Sequence, residues 1–188
     1  SYMMAKEHFI KCLNEDPKDT HALYNTIYCF ESLKNPDGAI EFLNGFLELD
    51  PFNEIAWHQL GRQYASKGLL KQALSSYDFA VICDNDFIGA YFEMGKTLQK
   101  MKRYNEAILS YEMTLSIDEP TAFALLHIGQ CHIELGNIKL AIQYFKRTLN
   151  EDPLYEKAWI ALIDVYCKNK DFEKALYYAK KSIQIDNV

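Results

Sequence analysis

The sequence predicts an all-α fold, namely an α-solenoid built from antiparallel helix pairs. Similar residues recur along its 188 residues at a fixed spacing of 34. A small residue returns six times at this spacing, as Ala5, Ala39, Ala73, Ala107, Ala141 and Ala175. A large residue keeps the same spacing, as Leu23, Trp57, Tyr91, Leu125 and Trp159. A period in this range is typical of a solenoid, in which each unit buries its apolar face only against its neighbours.

Each 34-residue unit predicts two helices joined by a short turn. Two apolar stretches with helical spacing are separated by turn-forming segments at 35–38, 67–68, 136–137 and 169–171. In three units the second helix is predicted to end at Asp-Pro, because proline cannot continue a helix. The recurring alanine is predicted to lie where two helices cross closely, and so are Gly61, Gly95 and Gly129.

The period predicts a single repeat domain over residues 1–188. Residues 1–19 fit the second helix of a truncated repeat, and five repeats follow at 20–53, 54–87, 88–121, 122–155 and 156–188. Because residues 1–19 lack a partner helix, we expect Phe9 and Leu13 to be partly exposed. Neither end has a polar capping face, which predicts either a fragment of a longer array or a homodimer formed through uncapped ends.

Composition narrows the class of protein. The formal net charge of −6 disfavours a nucleic-acid-binding protein, because such proteins need a basic surface. The sequence contains no run of about 18 apolar residues, so it predicts no membrane span. Cys29 and Cys131 share a repeat position and are predicted to be small core residues. The cysteines follow no disulfide or metal-site spacing, and reduced cysteines favour a cytoplasmic protein. Whether a targeting segment has been removed stays open.

The repeating residues also match a known family. The second repeat shows the pattern most fully, with Trp57, Leu60, Gly61, Tyr64, Ala73, Tyr77 and Ala80. In these residues the sequence resembles the tetratricopeptide repeat (TPR) family, and the resemblance runs in unbroken register through the chain. It implies a right-handed superhelix in which the first helix of each repeat lines a concave groove. It also implies a non-enzymatic interaction scaffold that binds an extended peptide or a partner's helix in that groove.

The resemblance places aromatic, amide and basic side chains on the groove face. Arg62 and Lys96 are expected to orient a protein or peptide ligand, including one with an acidic or C-terminal carboxylate group. Aromatic anchors are expected to supply most of the affinity. The candidate partner-binding residues are Tyr24, Asn25, Tyr28, His58, Arg62, Phe92, Lys96, Lys100 and Gln130.

More specialised sites of the family fit less well. When the carboxylate clamp is aligned to begin at the first repeat, only Lys96 matches its basic and amide residues. In another register they are half-matched, by Asn25, His58 and Arg62. The inward Asn ladder of O-linked GlcNAc transferase is absent from the sequence.

Two alternatives to a groove-binding scaffold stay open. The chain could be a structural or regulatory segment of a larger multidomain protein, with the groove filled intramolecularly or by self-association. It could also be an array linked to a catalytic domain outside this sequence. We expect no enzymatic activity and no cofactor within the chain, because no phosphate-binding loop or nucleophile motif occurs. His127 and Cys131 share a helix face and could in principle hold zinc, but the repeat position of Cys131 predicts a core residue.

Overall fold

The computed structural model describes residues 1–118 and 121–185, and the regular structure in these ranges is helical. The first helices of the repeats are α2 (Thr20–Ser32), α4 (Glu54–Ser66), α6 (Ile88–Lys100), α8 (Ala122–Glu134) and α10 (Glu156–Lys168). The second helices are α1 (Tyr2–Glu15), α3 (Pro36–Leu49), α5 (Leu70–Cys83), α7 (Tyr104–Ile117), α9 (Ile138–Glu151) and α11 (Phe172–Ile185). Both series begin every 34 residues, so the predicted all-α architecture of helix pairs is confirmed.

Contacts between the helices group the chain into two compact units, Ser1–Thr97 and Leu98–Val188. The first unit contains α1 to α5 and most of α6, and the second contains the end of α6 and α7 to α11. Short connections of a few residues make consecutive helices in each unit antiparallel neighbours. The organisation of residues 1–188 as a single domain stays a prediction. Among the described helices, none combines the length and the apolar character needed to cross a membrane.

Side-chain caps fix where several first helices begin. Asp19, Asn53 and Thr121 precede α2, α4 and α8, at equivalent repeat positions. Each side-chain oxygen accepts a hydrogen bond from the backbone N–H three residues later, at 2.9, 2.8 and 3.4 Å respectively. These bonds satisfy donors that have no partner within the helix, so they fix the same boundary in the first, second and fourth repeats.

The turn inside each repeat contains one residue in the left-handed region of backbone conformation. The φ values at this position lie between +53° and +76°. Glycine adopts this conformation without steric penalty, whereas each lysine there costs about 1 kcal/mol. The position is occupied in turn by Lys34, Gly68, Lys102, Gly136 and Lys170.

The small residues lie where helices cross, as predicted. A Cβ atom on Gly61 would lie 2.4 Å from Cε1 of Tyr77, and one on Gly129 would lie 2.5 Å from Cε1 of Phe145. These two aromatic rings are 0% and 1% exposed, so tight packing holds them in place. The recurring alanines of the second helices are buried as well, at Ala39, Ala73, Ala107, Ala141 and Ala175.

The N-terminal helix is better covered than the sequence suggests. The expected partial exposure of Leu13 is wrong, because its side chain is only 3% exposed. It belongs to the same apolar cluster as Leu23 and Leu43, against which Phe9 packs as a half-buried residue. Packing between α1 and α2 therefore buries Leu13, whereas Phe9 stays partly exposed as expected.

Replacing Gly61 with alanine should destabilise the first unit, because the added methyl group collides with the fixed ring of Tyr77. We expect the free energy of unfolding to fall by about 1–3 kcal/mol. Gly45→Ala in α3 is the matched control, since no atom lies within 4 Å of the added Cβ. That variant should gain about 0.5–1 kcal/mol from its higher helix propensity. Guanidinium titration followed by circular dichroism measures both, and equal stability of the two variants would contradict the close crossing.

Candidate functional site

In the first unit, α2, α4 and α6 each carry two candidate residues one helical turn apart. We call these six residues the inner-helix face. Because the pairs and the helices repeat with the same spacing, each pair occupies the equivalent position on its helix. Tyr24 and Tyr28 are 43% and 57% exposed, and the neighbouring Asn25 is also exposed. The inner-helix face consists of Tyr24, Tyr28, His58, Arg62, Phe92 and Lys96.

Arg62 is already engaged inside the unit. Its Nη2 lies 3.7 Å from Oε1 of Glu31 on α2, and its Nη1 donates to Oε1 of Gln59 at 3.1 Å. Gln63 also donates to Oε1 of Glu31, at 3.0 Å. The arginine and glutamate side chains are 43% and 39% exposed, so this ion pair contributes only about 0–1 kcal/mol. Breaking this ion pair would therefore cost the protein little stability.

Lys96 is paired in the same way, but along its own helix. Its Nζ lies 2.8 Å from Oε1 of Glu93, one turn earlier on α6. The same Nζ lies 5.6 Å from the centroid of the Phe92 ring. Glu31 and Glu93 thus balance the two cations of the inner-helix face.

His58 is enclosed by aromatic rings. Neither ring nitrogen is accessible to solvent, and neither makes a hydrogen bond of normal geometry. The ring meets that of Phe87 edge-on, with 5.1 Å between centroids, and lies 5.9 Å from that of Tyr77. The Tyr77 hydroxyl is also buried without a hydrogen bond of normal geometry. The other repeats have apolar or aromatic residues at the position of His58, namely Tyr24, Phe92, Leu126 and Ile160.

The surroundings of His58 keep its imidazole neutral. Burial lowers the pKa of His58 to about 4, and the charges of Arg62 and Lys96 act in the same direction. Glu93 and the nearby Gly89 backbone raise the pKa, but by less. At neutral pH the inner-helix face therefore holds a buried, uncharged imidazole between two paired cations.

His58 should make the protein less stable as the pH falls. The pKa of His58 is about 4 in the folded protein and about 6.5 in an unfolded chain. The unfolded chain therefore binds more protons between these values. The free energy of unfolding should fall between about pH 6.5 and pH 4, by roughly 2–3 kcal/mol from this group.

His58→Leu tests this pH dependence, because it copies Leu126 at the equivalent position of another repeat. The variant should stay folded and lose this part of the pH dependence. Denaturant titrations at about pH 7.5 and pH 4.5 measure the difference for both proteins. The same loss of stability in wild type and His58→Leu would contradict a buried, neutral imidazole.

The two remaining candidates, Lys100 and Gln130, lie in the second unit. Lys100 is exposed in the last turn of α6. Gln130 is half-buried on α8 and lines a cavity of about 160 Å³. Glu134, Asp164 and Lys168 supply the other polar side chains of that cavity. Both candidates are thus within reach of a ligand at the surface of the second unit.

A polar cluster in the second unit was missed by the sequence reasoning. Oε1 of Gln99 accepts a hydrogen bond from the Tyr111 hydroxyl at 2.6 Å and lies 3.0 Å from Nδ1 of His127. The rings of Tyr111 and His127 stack, with 5.3 Å between their centroids. Gln99 and His127 both lie on first helices, facing a buried aromatic residue of the repeat pattern, which is the signal that could have identified this cluster.

The side chains in the segment around Cys131 are engaged in packing contacts. Cys29 and Cys131 are 2% and 0% exposed, so their predicted core positions are confirmed. Burial raises the pKa of the Cys131 thiol to about 12, which disfavours the thiolate that zinc requires. His132 stacks on Tyr144, with 5.4 Å between the ring centroids. Over residues 1–118 and 121–185, no three His, Cys, Asp or Glu side chains are grouped as metal ligands.

Comparison with known families identifies the class of protein. Models of the tetratricopeptide repeat match residues 2–54, 88–120 and 123–155. Together with the helix pairs that recur every 34 residues, these matches show that the chain belongs to the tetratricopeptide repeat family. The resemblance seen in the sequence is confirmed.

The curated relatives are much longer than this chain. A segment of 118 residues is 30% identical to Superkiller complex protein 3 of Mus musculus, covering 59% of this chain and 8% of that protein. A segment of 173 residues is 22% identical to Anaphase-promoting complex subunit CDC16 of Saccharomyces cerevisiae, covering 92% of this chain and 21% of that subunit. The chain therefore spans less than a quarter of either relative.

Solved structures share the fold. The crystal structure of MamA has a TM-score of 0.78 and 23% sequence identity, with coverage of 84% of this chain and 92% of that chain. The structure of YrrB, described as a TPR protein with an unusual peptide-binding site, has a TM-score of 0.75 and 23% identity. The matched region covers 96% of this chain and 93% of the YrrB chain. These similarities confirm the solenoid class of TPR helix pairs.

Proposed function

We propose that this chain is a non-enzymatic protein–protein interaction scaffold, and that its inner-helix face binds an extended peptide or a partner's helix. The observation that carries the proposal is the exposure of Tyr24 and Tyr28, one turn apart on α2, at the positions equivalent to His58/Arg62 and Phe92/Lys96. Tyrosine and arginine are enriched among residues that dominate binding energy.

The tyrosine side of this face is partly preorganised. The Tyr28 ring meets the Tyr2 ring edge-on, with 6.0 Å between centroids. A ring that is already supported loses less conformational freedom on binding, which favours affinity. We therefore assign Tyr28 the role of apolar anchor, with Tyr24 one turn away.

The cationic side of the face suits a carboxylate on the ligand. Glu31 and Glu93 hold Arg62 and Lys96 through half-exposed ion pairs. A side-chain or C-terminal carboxylate of the partner would exchange with one of these acids and gain charge-assisted hydrogen bonds. The buried His58 adds no charge at neutral pH, so recognition would rest on Arg62 and Lys96.

The comparisons support an interaction role in general terms. YrrB, whose solved structure shares this fold, is described as a TPR protein with an unusual peptide-binding site. The curated relatives are named as parts of the Superkiller and anaphase-promoting complexes. For this chain, the partner and the cytoplasmic location stay predictions.

The proposal predicts that Arg62→Ala/Lys96→Ala loses the partner. Wild type and the double variant would be used for affinity capture from lysate, with bound proteins identified by mass spectrometry. Tyr28→Ala should weaken the same capture, because it removes the apolar anchor. Circular dichroism confirms that each variant is folded.

Lys18→Ala/Lys71→Ala is the matched control, since it makes the same charge change at exposed positions outside the inner-helix face. This control should retain the partner. Retention by Arg62→Ala/Lys96→Ala and by Tyr28→Ala would show that binding occurs elsewhere. Capture of no partner by wild type would also contradict the proposal.

A second candidate function is a structural segment that pairs with another copy of itself or with another part of a larger protein. The last described helix favours it, because Phe172, Leu176, Tyr177 and Ile183 on α11 are 56% to 65% exposed. Several large apolar side chains exposed on one helix are typical of interfaces.

The homodimer form of this candidate predicts that the mass rises from one chain to two with concentration. Light scattering over a hundredfold concentration range measures it. Leu176→Lys/Tyr177→Lys should keep the protein monomeric, because charge at the interface opposes association. A wild-type monomer at every concentration would contradict the homodimer.

A further inference from the structure

The acidic character of the chain is concentrated in its first unit. Residues 1–97 contain fourteen Asp or Glu against eight Lys or Arg, whereas residues 98–188 contain twelve of each. The formal net charge of −6 therefore comes from the first unit. Within it, residues 38–61 and 72–95 hold four acidic residues each and no Lys or Arg. These two segments include the connections from α3 to α4 and from α5 to α6.

Exposed apolar side chains lie among these acids. Phe52, in the connection after α3, is 78% exposed, and Ile82, near the end of α5, is 73% exposed. Phe79, one turn before Ile82, is 44% exposed. We name Phe52, Phe79 and Ile82 the loop-end patch.

The backbone carbonyl of Pro51 contacts side chains from both acidic segments, 38–61 and 72–95. Trp57 donates its Nε1 to this oxygen at 2.8 Å, and its ring stacks on Phe79 with 4.6 Å between centroids. Sγ of Cys83, next to Ile82, lies 4.0 Å from the same oxygen. Phe52 directly follows this carbonyl in sequence, so these contacts link the connection that carries Phe52 to the end of α5 that carries Phe79 and Ile82.

Carboxylates surround the loop-end patch. The pKa of the Cys83 thiol is raised by its partial burial and then by the charges of Glu54 and Asp50. Asp84 and Asp86 follow immediately, where the Asp86 N–H donates to Oδ1 of Asp84 at 3.0 Å. Both helix connections that border the patch, α3 to α4 and α5 to α6, therefore carry negative charge.

The repeat fold does not require these apolar residues. In the last repeat, Trp159 donates to the Pro153 carbonyl at 2.8 Å, as Trp57 does to Pro51. That repeat nevertheless has polar residues at the positions of Phe79 and Ile82, namely Lys181 and Gln184. At the position of Ile82, the other described repeats also have polar residues, which are Glu48, Ser116 and Asn150.

We propose that the loop-end patch is a second protein-binding surface, and that it takes a segment of another protein with an apolar anchor flanked by Lys or Arg. The apolar centre would bury the anchor, and the acidic rim would attract the flanking cations. The same rim opposes nucleic acids and anionic membranes. This surface is separate in residues from the inner-helix face and does not depend on it.

A display experiment tests the proposal directly. A library of random twelve-residue peptides would be selected on wild type and counter-selected on Phe52→Asp/Ile82→Gln. That variant copies Asp86 and Gln184 from equivalent positions of other repeats, so the fold should tolerate it. The enriched peptides should combine an aromatic or branched apolar residue with flanking Lys or Arg.

The synthetic consensus peptide then gives the quantitative test by calorimetry. Phe52→Asp/Ile82→Gln should weaken its binding by about tenfold or more. Asp84→Lys/Asp86→Lys, which leaves the apolar centre intact, should weaken it as well. Raising the salt concentration from about 50 to 500 mM should also weaken binding, because exposed charges are screened. Leu154→Asp/Leu109→Gln is the matched control in the second unit and should leave binding unchanged.

Several outcomes would overturn the proposal. These are a selection that enriches no peptide, a consensus without basic residues, or a consensus peptide that binds both loop-end variants like wild type. If light scattering shows a wild-type dimer that Phe52→Asp/Ile82→Gln dissociates, the occupant is a second copy of the chain and the proposed partner is wrong. Because both loop-end variants are tested, failure of one of them to fold still leaves a decisive measurement.

Discussion

The inner-helix face depends on the close crossing of α4 and α5, where a glycine faces a large aromatic ring. Gly61 lets the ring of Tyr77 approach α4 so closely that a single added carbon would overlap it. The same contact recurs between Gly129 and Phe145. Because this crossing fixes the distance between the paired helices, it also fixes what surrounds the neighbouring side chains. His58, one turn before Arg62 on α4, is enclosed partly because Tyr77 is held nearby.

The inner-helix face gains its electrostatic character from neighbours that the repeat pattern does not specify. Glu31 reaches Arg62 from α2, and Glu93 reaches Lys96 along α6. These half-exposed pairs hold the cations in place at low energy, since exposed ion pairs contribute little to stability. In the proposed binding mode, a partner carboxylate would replace one of these ion pairs. Such an exchange would favour selectivity between partners over raw affinity.

The sequence predicts the helices well, because their signals are local and repeated. The alanine recurs in every repeat, and the Asp-Pro pairs and several caps return at the same spacing, so a weak signal in one repeat is compensated by the others. Contacts between repeats are harder to predict, because they depend on which side chains meet across helices. The pairing of Arg62 with Glu31 and the burial of Leu13 are of this kind. The left-handed lysines, such as Lys34, carry no compositional signal and become visible only through their backbone angles.

Positions at which one repeat departs from the others separate the demands of folding from those of binding. The recurring alanine is kept and buried on α3, α5, α7, α9 and α11, where a larger side chain would force the helices apart. At the position of Ile82 the fold accepts Glu, Ser, Asn and Gln, so the isoleucine there adds little to stability. An isoleucine that is 73% exposed leaves most of its apolar surface in water. A partner that buried this surface, as we propose, would recover the hydrophobic free energy that folding leaves unused, and the surrounding carboxylates would select which partner can do so.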